Sequence, residues 1–401
     1  MSTSRTVAWF VWLLASIFYA YQYIFRVMPN IMANDIMTQF NIDSLVFGQF
    51  AGVYYLGYCL AHLPIGIMLD RYGPKKVMSI SILLTVIGIL PIIFANHWFY
   101  AIIGRFLIGV GSSAAILSTF KIIRMTFSED HFTSMLSFAV TIGVFGALYG
   151  GVPVSYLFEL YGYKAVIEIF ALLGIVFAVL TYFIVPEMES EHKTTIIADV
   201  KTVFTNKKVL LVCVLAGLMV GPMEGFADAW GSEFFKQTYG FDTNMSNSLT
   251  SMIYFGFLFA PVLSWIAERT GYYLGTVVGA GIMMAAVFIM LVAGVLNGMS
   301  ITVGLFIVGV CCAYQIIVIY KAATYVPDEV AGLTTAVTNM IIMSFGYVFH
   351  TVIGVVIKAY SSDGPAISFT YGVSAIPIAL VIGSIGFVML SYGEKKKKRS
   401  A

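Results

Sequence analysis

The chain has 401 residues, of which 60% are hydrophobic and only 10% charged, with a formal net charge of +2. That balance excludes a water-soluble globular protein of this size and gives no basis for a nucleic-acid partner. A spanning helix takes about 20 apolar residues, so the length admits about a dozen spans with short loops and no large soluble domain.

The first helix is expected over about Val7–Met32, an apolar run too long for a signal-peptide core and therefore a retained span. It carries Arg26 beyond its midpoint, followed by Pro29. A polar loop with Asp35 and Asp43 but no Lys or Arg is placed outside. The second helix, about Leu45–Leu69, runs into Gly66-Ile-Met-Leu-Asp70-Arg71-Tyr-Gly73-Pro74-Lys75-Lys76, read as a short charged loop. Its Asp70 carboxylate can accept hydrogen bonds at a helix terminus, and Arg71, Lys75 and Lys76 put it inside. The third helix is expected over about Val77–Ala95 and the fourth over about Phe99–Ile123. The fourth contains Gly104-Arg105-Phe-Leu-Ile-Gly109-Val-Gly111, where small residues let two helix backbones approach closely. The fifth, about Phe132–Phe158, has a packing and bending stripe of Gly143, Gly146, Gly150, Gly151 and Pro153, and the sixth covers about Ala165–Val185.

Residues 186–208 form a polar cytoplasmic linker between a first half, 1–185, and a second, 209–392, and are expected to carry a short amphipathic helix. Helices seven to twelve fall at about Val209–Phe235, Ser246–Ala267, Leu274–Leu296, Ser300–Ala323, Gly332–Lys358 and Ile367–Tyr392. The tail, 393–401, is polybasic and suited to anionic headgroups. Lys and Arg collect in alternate turnarounds, the linker and the tail, so both termini are expected in the cytoplasm. Cys59, Cys213, Cys311 and Cys312 sit in apolar runs without metal-ligand spacing, so no metal or cofactor is expected.

The halves repeat. Ile108-Gly109-Val-Gly111 with Lys121 matches Val308-Gly309-Val with Lys321 at an offset of 200, and Asp70-Arg71-Tyr-Gly73 matches Glu268-Arg269-Thr-Gly271 at 198. Two features at nearly one offset argue for a six-helix duplication, the plan on which alternating-access transporters are built.

Charges inside the hydrocarbon cost about 3 kcal/mol or more on insertion scales, so each intramembrane charge needs an explanation. Arg26 presents a planar fork suited to carboxylate or phosphate, and the repeat offset pairs it with Glu224. Glu224 and Asp228 are four apart, on one face of an ideal helix, after a loosening Gly221-Pro222. Arg105, with no acidic neighbour evident, stays open between coupling and structural pairing. Lys121 and Lys321 are either snorkelling cations or a pair guiding an anion at the cytoplasmic mouth. His62 and His350 are titratable near neutral pH. Tyr21, Tyr23, Tyr54, Tyr55, Tyr149, Tyr314, Gln22 and Gln315 are candidate cavity lining.

The Gly66–Lys76 stretch resembles the signature loop of the major facilitator superfamily (MFS), with Met68 at the family's Leu position and Pro74 at its first basic position. The resemblance covers nearly the whole chain. It implies an all-α membrane protein of twelve transmembrane helices in two six-helix pseudo-symmetric halves. It also implies a cavity lined by the first helix of each half, a gating role for Asp70 and Arg71, and proton transfer or structural pairing for Arg105; the repeat adds Glu268 and Arg269 as coupling or gating candidates, and its titratable ring adds His350. Drug exporters of this superfamily carry Gly-Pro-x-x-Gly-Gly in helix five; here Pro153 follows the Gly150-Gly151 pair. The string Tyr-x-x-x-Arg26-Val-x-Pro29 faintly resembles bacterial nutrient-uptake members. The expectation is a monomeric inner-membrane transporter, not an enzyme. It takes up a small organic anion or zwitterion with protons, through a site of Arg26, Glu224, Asp228, Tyr23, Lys121, Lys321 and Gln315. The alternative is a proton-driven exporter of drugs, siderophores or metabolites.

Overall fold

The computed structural model describes residues 5–127, 129–187 and 196–400, with the backbone alone at Arg5, Asp70, 129–134, Ser137, 196–199, Asp328, Glu329, Ala331, Gly332 and 395–400. The described residues are almost entirely helical, and twelve of the helices are long and apolar enough to cross a membrane. We number them α1 Thr6–Phe40, α2 Ser44–Leu69, α3 Arg71–Phe94, α4 Trp98–Thr126, α5 Phe138–Tyr161, α6 Tyr163–Ile184, α7 Lys207–Tyr239, α8 Thr243–Thr270, α9 Tyr273–Val292, α10 Gly298–Ala323, α11 Leu333–Ala359 and α12 Pro365–Glu394. A short helix, Ile196–Thr205, lies in the linker.

Two boundaries differ from the sequence reading. The first helix does not stop near Met32; Met32 is only a bend (φ −123°, ψ 21°), and helix continues through Asp35 to Phe40. The Asp70–Lys76 stretch is not an irregular loop either. Helix runs from Ser44 to Phe94 and breaks only at Gly73, at φ 75°. A polar, charged composition marks where a chain leaves the hydrocarbon, not where its helix stops.

The chain divides into two compact units, residues 1–42 with 49–193, and residues 43–48 with 194–401. Their inner geometry repeats. Gly73 has its counterpart in Gly271 at φ 68°, and in both only a residue without Cβ turns the backbone at no steric cost. Asp43 caps α2 by accepting from the Val46 N–H at 3.0 Å, and Asp242 caps α8 by accepting from the Met245 N–H at 2.7 Å. A Cβ on Gly57 would lie 2.2 Å from the Phe106 carbonyl oxygen, and one on Gly109 2.0 Å from that of Tyr54. In the other unit a Cβ on Gly256 would lie 2.1 Å from the Phe306 oxygen, and one on Gly309 2.1 Å from that of Ile253. The crossing of α2 on α4 is thus built like the crossing of α8 on α10, backbone against backbone.

Asp43 also pairs with Lys358 at 2.9 Å, within the second unit. Burial raises the Asp43 carboxyl, but the Lys358 hydrogen bond and charge, with the N–H groups of Val46 and Leu45, outweigh it and leave the pKa below the usual carboxylate value. A carboxyl depressed in the folded state stabilises above its unfolded pKa, and that contribution is lost as pH falls through the folded pKa. The side chains are 43% and 51% exposed, which limits the pair to about 1 kcal/mol or less. Asp43→Asn is therefore expected to lower thermal stability slightly at pH 7. The difference from wild type should begin to shrink near the free carboxyl value, about pH 4, and vanish only below the depressed folded pKa. An unchanged difference across that range would show that the charge of Asp43 is not the source of the loss.

Candidate functional site

Each unit carries one buried polar cluster on its first long helix. In α1 the local chemistry starts with Pro29, which has no N–H to give to the Phe25 carbonyl one turn back. Arg105 of α4, 2% exposed, supplies the missing donor. Its Nη1 donates to the Phe25 oxygen and its Nη2 to the Arg26 oxygen at 2.8 Å. The guanidinium carbon also sits 4.8 Å from the centre of the Tyr54 ring. Arg105 is thus a splint for the bend in α1.

Arg26, on the splinted turn, is 8% exposed. Its guanidinium carbon lies 4.9 Å from the Tyr23 ring centre and 5.4 Å from that of Tyr55. Tyr23 packs edge-on to Tyr19 at 5.1 Å. Two aromatic faces hold a desolvated cation by attraction worth about 2 kcal/mol at buried sites, and they orient the flat guanidinium. The Tyr54 hydroxyl donates to Gln22 Oε1 at 2.6 Å, tying α2 to α1 beside it.

In α7, Pro222 is followed by a π turn, Phe226–Trp230. Such turns insert one residue into the ladder and are frequent at functional sites. Asp228, in the middle of it, is fully buried and accepts from the Tyr254 hydroxyl of α8. Ser232 donates to Asn247 Oδ1 on the same pair of helices. Glu224 is half-buried and lies within electrostatic reach of Tyr314 and Cys312 on α10. The two carboxylates therefore occupy different surroundings, and the simple helical face expected for them is interrupted by the π turn.

Tyr254 stands at the repeat position of Tyr55, at an offset of 199. One unit sets Arg26 on this tyrosine and the other sets Asp228 on it, so Asp228, not Glu224, has the equivalent setting. The sequence reading named Tyr55 but missed Tyr254, Ser232 and Asn247; the repeat offset applied to Tyr55 finds Tyr254.

The remaining expected residues separate from these clusters. Gln315 Nε2 lies 3.4 Å from Asn339 Oδ1. His350 is fully buried, its Nδ1 donating to the Gly346 carbonyl at 2.6 Å, while its own carbonyl accepts from Trp230 Nε1 at 3.1 Å. Those bonds tie its ring to α11 and its backbone to α7. Lys321 pairs with Glu394 at 3.2 Å and lies 5.0 Å from the Tyr325 ring centre. Lys121 is half-buried near the end of α4. Arg71 and Arg269 are exposed and lie over their neighbours Tyr72 (5.3 Å) and Trp265 (5.0 Å), and Glu268 is exposed. The gating role expected of the Asp70 carboxylate falls outside the described side chains.

The family model for the Major Facilitator Superfamily matches residues 11–351. An uncharacterized transporter of Bacillus subtilis, YybO, is 23% identical over 271 residues, and the match spans 61% of each chain. Among solved structures, a bacterial homologue of the human lysosomal transporter Spinster superposes with a TM-score of 0.75 at 16% identity, covering 97% of this chain and 98% of that one. A D-xylose–proton symporter superposes with a TM-score of 0.72 at 15% identity, covering 95% and 97%. Likeness at such identity speaks for the fold alone, whereas the family model takes in α1 through most of α11. The chain belongs to the Major Facilitator Superfamily.

Proposed function

We propose that the protein is a secondary transporter that moves a small hydrophilic organic anion or zwitterion, bearing a carboxylate or phosphate, by alternating access. Uptake across a bacterial inner membrane is coupled to protons, both termini lie in the cytoplasm and the monomer is the working unit. The observation that carries the reading is Arg26. It is a buried guanidinium about 5 Å from the centres of two tyrosine rings, on a helical turn that a second arginine braces. A cation kept in such a setting is there for the oxygen pair of an anion, which its planar fork matches. Asp228 and Glu224 on α7 provide the carboxylates that bind an amino group or balance charge in a zwitterion. The Gly73 and Gly271 turns, with Arg71 and Arg269 beside them, gate the cytoplasmic side.

The test is ligand-induced thermal stabilisation of the purified protein against amino acids, di- and tricarboxylates, sugar phosphates and lipophilic cations. A ligand of the folded state at about a hundred times its Kd adds about 2.7 kcal/mol, a shift of a few degrees. We expect a hit among anions or zwitterions that disappears in Arg26→Ala and weakens in Arg26→Lys, with both variants folded. An undiminished hit in Arg26→Ala removes Arg26 from the site. Stabilisation by lipophilic cations alone, indifferent to Arg26, replaces uptake with drug export.

A further inference from the structure

His62 lies on α2, eight residues beyond Tyr54, and is 3% exposed. Its Nδ1 is sealed from solvent with no hydrogen-bond partner among the described residues. A neutral imidazole has one donor and one acceptor to satisfy, and leaving one unmade in the interior is destabilising. His350 likewise seals a ring nitrogen, Nε2, from solvent, but it bonds its Nδ1 to its own helix.

His62 also ends an aromatic ladder. Its ring lies 5.2 Å from that of Tyr58, which stacks on Tyr54 at 6.3 Å. The three positions are four apart and share one helix face. Tyr54 is the ring beneath Arg105 and the donor to Gln22, and Tyr58 lies within electrostatic reach of Arg26. The ladder therefore joins a buried titratable group to the cationic cluster of α1.

We infer that His62 carries the coupled proton. Its imidazole takes one proton from water on one side of the membrane while an anion occupies Arg26. It returns that proton to water on the other side once the anion has left. This rests on the transport reading above. The titratable group facing His62 is Tyr58, on its own helix. α4 runs alongside through the Gly57–Gly109 crossing and carries no charge from Gly109 to Phe120, Lys121 being the next. The charge that can govern its proton is therefore the arginine cluster at the far end of the ladder. Two cations repel, so an anion on Arg26 favours a proton on His62, and by reciprocity the proton favours the anion. Eight helical residues span about 12 Å, and at an effective dielectric of about 20 the coupling at that distance is about tenfold in affinity.

Two measurements on the full-length protein test this. The first is the spectrum of 15N-histidine-labelled protein in lipid nanodiscs, with His62→Gln assigning the resonance and His62→Asn as a second amide variant. The His62 signal is expected to show uptake of a proton as the pH is lowered, and at a higher pH when the stabilising anion of the screen is added. A signal that stays neutral throughout overturns the inference. The second is acidification inside pyranine-loaded proteoliposomes driven by an inward gradient of that anion. His62→Gln is expected to keep anion exchange and to lose acidification. Undiminished acidification in His62→Gln overturns the inference even if the ring titrates. A wild type that moves no solute of the panel overturns the transport reading itself, and with it the coupling. That result stands apart from the first measurement, which reads His62 directly.

Discussion

Arg105→Leu is expected to cost about 2–4 kcal/mol of stability, measured by unfolding in mixed SDS micelles, without touching any ligand. The Phe25 carbonyl has lost its helical donor to Pro29 and takes its hydrogen bond from Arg105 instead. In the hydrocarbon no water replaces that donor, and a buried unsatisfied group costs about 1–3 kcal/mol. Losing the second bond, to the Arg26 carbonyl, and the contact with Tyr54 adds to it. The account has a specific check. Pro29→Ala restores an N–H to the Phe25 carbonyl, so Arg105→Leu should cost at least about 1 kcal/mol less in that background, a coupling typical of groups in contact. Equal losses in both backgrounds would mean that the arginine is not bracing the proline turn. Because Arg26 stands on that turn, Arg105→Leu should also weaken ligand binding, and Pro29→Ala should restore stability without restoring affinity.

Gly109→Val and Gly309→Val should each be among the most damaging substitutions in the chain. A Cβ at either place meets a carbonyl oxygen of the neighbouring helix at 2.0 and 2.1 Å, and backbone cannot rotate away as a side chain can. Overpacking in well-packed interiors costs about 1–3 kcal/mol, and a backbone clash belongs at or above the top of that range. The expected outcome is loss of folded protein on size-exclusion chromatography, or a transition lowered by many degrees. Gly279→Ala is the control. Nothing lies within 4 Å of its Cβ position, so it should be neutral or slightly stabilising through helix propensity. Equal tolerance at all three positions would show that the α2–α4 and α8–α10 crossings have room to part.

Much of this was legible from hydrophobic run length and charge placement. Twelve spans, the linker helix and the repeat all follow from patterns that the bilayer imposes on any chain, and the repeat is borne out in the paired Gly73–Gly271 turns and the paired glycine crossings. Arg26 and Asp228 stood out because charge in hydrocarbon is rare. The end of α1 was hidden because polarity reports depth, not backbone conformation, and α1 keeps its hydrogen bonds after leaving the apolar stretch. Two further features were hidden for separate reasons. The carbonyls that Arg105 serves have no side-chain signature, although Pro29 announces that one of them must be orphaned. The ion pair of Lys321 was hidden because its partner, Glu394, is remote in sequence and adjacent only after α12 returns to α10.

The π turn in α7 has a mechanical consequence. Its five-residue loop of hydrogen bonding at Phe226–Trp230 stores one residue more than an α turn would hold. Such an excess need not stay put. Handing one hydrogen bond from each residue to the next slides the bulge along the helix like a crease in a carpet, without unwinding either end. Each step swings the side chains it passes around the axis, so Asp228 can leave Tyr254 and come back while Pro222 and the end of α7 remain in place. A rigid α7 would have to rotate whole, dragging its neighbours. A helix with a travelling crease can turn one carboxylate alone, and its amides from Gly225 to Gly231 should exchange with solvent deuterium well ahead of the turns on either side.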